Sequence, residues 1–154
     1  MDHNLLILIP VFTIVDALYL NFSSKFFNKV INDIQGSDIK LRIIPTVACY
    51  IFLVFGVYHF IISKKKSPDE AFLLGIVVYG VYETTNYAII DKWPLKAVIM
   101  DTLWGGILFY LSTAITYNIK TRNVSIIMRS LLNFAYTLIM GSVPSNNLNN
   151  NLMT

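Results

Sequence analysis

Three acids stand inside otherwise apolar stretches of this chain: Asp16, Glu83 and Asp101. An ionisable side chain at membrane depth is costly, so each one demands a partner, a proton or a bound cation. Around Glu83, the residues Tyr79, Tyr82, Glu83 and Asn86 follow i, i+3, i+4, i+7 and share one helical face. Asp101, Trp104, Gly105 and Leu108 repeat that spacing further along. The candidate intramembrane polar site is therefore Asp16, Tyr82, Glu83, Asn86, Asp101 and Trp104. Carboxyls brought together in low dielectric cannot all stay ionised cheaply, so Glu83 and Asp101 should hold a proton or a cation between them. The nearest basic side chains, Arg42 and Lys96, lie toward span ends.

Other chemistry has little support. Cys49 is the single cysteine, so an intrachain disulfide and a paired-cysteine redox motif are excluded, and its apolar setting reads as packing. His3 and His59 have no third ligand at metal spacing. There is no glycine-rich phosphate loop, HExxH or nucleophile elbow, so neither an enzyme nor a cofactor is expected.

The elements that must position the acids follow from composition. Hydrophobic residues make up 55% of 154 positions and charged residues 14%, against roughly a quarter charged in a soluble domain. So much apolar surface needs lipid. Four stretches, 5–22, 41–63, 71–90 and 95–117, meet the roughly 17 to 25 residues of a membrane span. They lack period-2 alternation, so helices are the state that satisfies their backbone in lipid. The expected fold is all-α, an integral membrane bundle of four transmembrane helices within one domain over 1–140. Its partners are the bilayer and either a second copy or other membrane subunits. The net charge of +3 does not indicate nucleic acid, because the basic residues flank apolar runs.

The links add detail. Phe26, Phe27, Val30, Ile31 and Ile34 share one face of 23–34, which predicts an amphipathic interfacial helix capped at Ser23 or Ser24 and ended by Gly36. Ser67 and Pro68, with acids after them, read as a helix start. The short link Asp91 to Pro94 makes its flanking helices antiparallel neighbours, with Trp93 at the membrane boundary. Small residues four apart, Gly80, Thr84 and Ala88 and separately Ala71 and Gly75, predict close helix approach, with Gly80 at the contact.

Residues 124–140 carry a polar stripe of Ser125, Arg129, Asn133 and Thr137, which suits an interfacial helix, a fifth span being the alternative. Residues 141–154 read as a disordered, asparagine-rich tail. The first stretch has neither a basic leader nor a small-residue cleavage site, and reads as a retained helix. Orientation does not follow from charge, because six Lys and Arg fall on each side of a four-span arrangement. From the helical rise, the three acids sit roughly 4, 4 and 7 Å from the midplane, all in the half nearer the first and third links.

These residues also resemble a family. Asp16-Ala17-Leu18-Tyr19-Leu20 is similar to an Asp-Ala-Leu-Trp-Leu stretch of small membrane proteins grouped as domain of unknown function 2177. The run Tyr79 to Asn86, then Trp93-Pro94-Leu95, then Asp101 to Gly105, resembles that family's Tyr-Gly-x-Tyr-Asp-x-Thr-Asn, Trp-Pro and Asp-x-x-Trp-Gly signature in order. Departures are Tyr19 for tryptophan, Glu83 for aspartate and the extension past Tyr117. The resemblance implies a four-span membrane protein with no particular activity. Two readings of the acids stand side by side. In the first they bond helix to helix in a structural or assembly protein. In the alternative they form a transport or channel site for protons, cations or a small cationic solute. A dry, fully paired cluster would favour the first, and a cavity reaching Glu83 or Asp101 the second.

Overall fold

A computed structural model describes residues 2–119, 128, 129 and 131–133, and over these the chain is helical with short connections and no strand. Residues 128, 129 and 131–133 are helical. Otherwise the expectations for 124–140 and 141–154 fall outside the described residues.

The first helix, α1 (His3–Gln35), starts where the Asp2 carboxylate accepts the Asn4 backbone N–H at 3.1 Å. It ends at Gly36, whose φ of 73° is a left-handed conformation that glycine adopts without a β-carbon clash. Between these caps the helix is unbroken for 33 residues, about 50 Å at the usual rise and longer than the roughly 30 Å hydrocarbon core. This corrects the expectation of a span followed by a separate interfacial helix. Ser23 and Ser24 do not cap a new helix; their hydroxyls donate back to the carbonyls of Tyr19 and Asn21 at 2.8 and 2.7 Å. The apolar face of 26–34 is also not left to headgroups. Val30 packs with Trp93, Ala97 and Val98, and Phe26, Phe27, Ile31 and Ile34 close around them.

The second helix, α2 (Ile43–Val57), runs into a π-helical turn, Tyr58–Ile62. The third, α3 (Pro68–Ile89), opens with a capping box in which Ser67 Oγ accepts the Glu70 N–H and Glu70 accepts the Ser67 N–H, as the Ser67-Pro68 signal leads one to expect. The fourth, α4 (Leu95–Asn118), follows a short turn. Among the described residues three helices are long and apolar enough to cross a membrane: α1, α2 with its π-turn, and α4. The 22 residues of α3 have the length, but its second half holds Glu83, Thr84, Thr85 and Asn86.

Packing is uneven. α3 lies along α4, and α1 also packs on α4. α2 touches α1 lightly and meets α3 mainly through the π-turn. The closest approach of α3 and α4 is at Gly75, where a β-carbon would fall on the Gly105 carbonyl. A β-carbon at Gly105 would likewise fall on the Tyr79 ring. Of the two small-residue patterns, then, Ala71 and Gly75 make the contact. Gly80 does face α4, as expected, but it is not the tight point: a β-carbon there would meet Thr102 Cγ2 at 3.5 Å, ordinary contact, and Thr84 and Ala88 are exposed.

Candidate polar site

The three acids converge along the bundle interior, and each is held by aromatic N–H or O–H donors. Asp16, 7% exposed, accepts the Tyr50 hydroxyl at 2.6 Å and the Trp104 indole N–H at 3.0 Å. Asp101 accepts the Tyr19 hydroxyl at 3.0 Å. Glu83, 1% exposed, accepts the Trp93 indole N–H at 2.8 Å. Tyr19 lies flat on Trp104, with ring centroids 4.3 Å apart and planes 8° from parallel. One ladder thus runs from Asp101 through Tyr19, Trp104 and Asp16 to Tyr50, with members on α1, α2 and α4, and the Glu83–Trp93 pair ties α3 to the turn before α4.

The local sequence accounts for these positions. Asp16 and Tyr19 are three apart on α1, and Asp101 and Trp104 three apart on α4, so each helix offers an acid and an aromatic on one face. Crossing the helices pairs the acid of one with the aromatic of the other. Among the described residues the only salt bridge is Lys66 with Glu70 at 2.8 Å, outside the cluster. The acids therefore have neutral donors and no cationic partner.

Asp16 and Asp101 both open on a cavity of about 390 Å³ between the four helices. Tyr19, Tyr50, Tyr79, Tyr82 and Trp104 are among the residues that form its walls. Toward the start of α1 it is stopped by aromatic contacts: Phe12 meets Tyr50 at 6.4 Å and Phe109 at 5.6 Å between centroids, and Tyr79 meets Phe109 at 6.2 Å. Toward the α3–α4 turn, the buried Glu83–Trp93 pair stands beyond the cavity lining.

Of the residues singled out from the sequence, Asp16, Asp101 and Trp104 line the cavity and Tyr82 stands exposed at its rim. Glu83 and Asn86 do not line the cavity, and the Asn86 side-chain nitrogen has no hydrogen-bond partner. The sequence reading missed Tyr50, on a helix with no acid to draw attention to it, and treated Tyr19 only as a departure from a motif. Its i+3 spacing from Asp16 was the available signal. Trp93, read as a boundary marker, is the Glu83 donor. Cys49 is not packed inside the bundle; it is exposed on the cavity rim.

Polar ties close the end of the bundle that holds the chain's start. Tyr58 donates to Asp2 at 2.8 Å and Tyr117 to the Lys66 carbonyl at 2.8 Å. The Tyr58 hydroxyl, with the Asn4 N–H, holds the Asp2 carboxyl below the ordinary carboxylate range. The Lys66 ammonium, then the Ser67 backbone N–H, does the same for Glu70.

Comparison with known proteins agrees with this architecture. A family model described as a predicted membrane protein, domain of unknown function 2177, matches residues 3–118, the span of all four helices. No curated protein and no solved structure matches.

Proposed function

This chain belongs to the predicted membrane protein family of domain of unknown function 2177, and from that premise we propose that it binds a small organic cation, a protonated amine or quaternary ammonium, as a transport-type module. The observation that carries the reading is the cavity between Asp16 and Asp101, which has aromatic walls and no lysine or arginine in its lining. Tyrosine and tryptophan donors solvate a carboxylate but do not cancel its charge. A cation seated between the two acids would do so, and the ring faces of Tyr19, Tyr79 and Trp104 would stabilise it further. Glu83 keeps the other role weighed for these residues: with its Trp93 partner it fastens α3 to the turn before α4.

The test is Asp101→Asn in purified protein reconstituted in lipid, with tetramethylammonium and dodecyltrimethylammonium as probes. At least one should raise the thermal midpoint of the native protein, and the substitution should abolish that shift while the variant still folds, because Asn keeps the shape and can still accept from Tyr19. A variant that keeps the full shift, or a native protein that responds to neither probe, overturns the reading.

A further inference from the structure

Resting on that cation reading, we propose that the ligand reaches the cavity sideways from the bilayer and is an amphiphile, its ammonium head between Asp16 and Asp101 and its alkyl chain lying out between α2 and α3. The geometry leaves this direction open. Along the bundle axis the cavity is stopped at one end by the Phe12, Tyr50 and Phe109 rings. At the other end the Glu83–Trp93 pair is buried. These closures draw on Phe12 of α1, Glu83 of α3 and Phe109 of α4, with Tyr50 of α2 and Trp93 of the turn before α4.

The side between α2 and α3 is different. These helices make little direct contact with each other, and the lining residues that face outward there are exposed: Cys49 on α2, Val78 at 39% and Tyr82 at 59% on α3, with Leu20 at 49% from α1. This rim is apolar apart from one hydroxyl and one thiol. It lies at the level of Asp16 and Asp101, which stand within the candidate spans α1 and α4, where the surrounding solvent is hydrocarbon. A hydrated cation would have to lose its water before arriving at such a mouth. An amphiphile already resident in the leaflet keeps its chain in lipid and transfers only its head to the acids.

The test uses dodecyltrimethylammonium carrying a nitroxide on the alkyl chain, with the full chain of the protein in lipid nanodiscs, read by electron spin resonance. The native protein should show a motionally restricted component that falls at least fivefold in Asp101→Asn. Filling the mouth with Cys49→Trp, or from the opposite rim with Val78→Trp, should remove it by a similar factor. Phe52→Trp, on the 75% exposed outer side of α2, should leave it intact. Two rim variants guard against one of them misfolding. A component that depends on Asp101 but survives both rim variants would overturn sideways access while leaving the cation site standing. No Asp101-dependent component, together with no thermal shift from tetramethylammonium, would remove both.

Discussion

The indole nitrogen of Trp104 donates to Asp16 Oδ1 across 3.0 Å, joining α4 to α1 over 88 positions of chain. The same indole ring stacks on Tyr19, so one side chain serves both the charge and the packing. Trp104→Phe separates these roles, because it keeps a ring against Tyr19 and deletes the donor. Asp16 would retain only Tyr50. The expected result is a folded protein destabilised by about 1–3 kcal/mol, the cost of an under-satisfied buried polar group. Thermal unfolding in detergent reads it, and an unchanged midpoint would show that Asp16 does not depend on the indole.

Helix approach distinguishes two glycines that look equivalent in sequence. Gly75→Ala puts a methyl onto the Gly105 carbonyl, which is backbone and cannot turn aside. It should push α3 from α4 and cost roughly 1–3 kcal/mol, as overpacking does. Gly80→Ala meets only a Thr102 methyl at van der Waals distance and should be neutral. Equal effects for the pair, in the same unfolding assay, would contradict the crossing point described above.

Whether α3 itself crosses the bilayer is decided by the sides on which its flanking turns lie. In a Cys49→Ser background, single cysteines at Lys65 and Asp91 should label from opposite sides of sealed vesicles with a membrane-impermeant thiol reagent. Asp2 should label with Lys65, and Lys29 with Asp91. Labelling of 65 and 91 from one side would mean that α3 lies within the bundle without spanning.

Acid should weaken the end of the bundle that holds the first residues. Glu70 has a folded-state pKa below its ordinary value of 4.5, held there first by Lys66. The unfolded chain therefore binds this proton at higher pH than the folded one. The stabilisation is present above pH 4.5 and is lost as pH falls through the lower folded value. Glu70→Gln should have a thermal midpoint that declines less than that of the native protein between pH 6 and pH 3, a small difference because the pair is exposed. Parallel declines would remove Glu70 from the acid response.

The helices themselves were legible because their signals are local. Apolar run length marked the stretches, Ser67 with Pro68 and Glu70 marked the start of α3, and Gly36 marked the end of α1. The break expected at Ser23 failed for a non-local reason. A serine hydroxyl can cap a new helix or fold back on the turn before it, and the packing of 26–34 against Trp93, Ala97 and Val98 favours a continuous helix.

Within the site, sequence alone determined that Asp16, Glu83 and Asp101 are acids in apolar helices at similar depth, since depth follows from counting residues at a constant rise. It also placed an aromatic one turn from Asp101. Tertiary structure decided which aromatic serves which acid, because those hydrogen bonds cross between helices and depend on how each helix is rotated. It decided as well that Gly75 and not Gly80 sets the spacing of α3 and α4, and that α2 stands away from α3 to leave a cavity. A helix period fixes which residues share a face but not which neighbour that face meets. That choice belongs to the packing of the whole bundle.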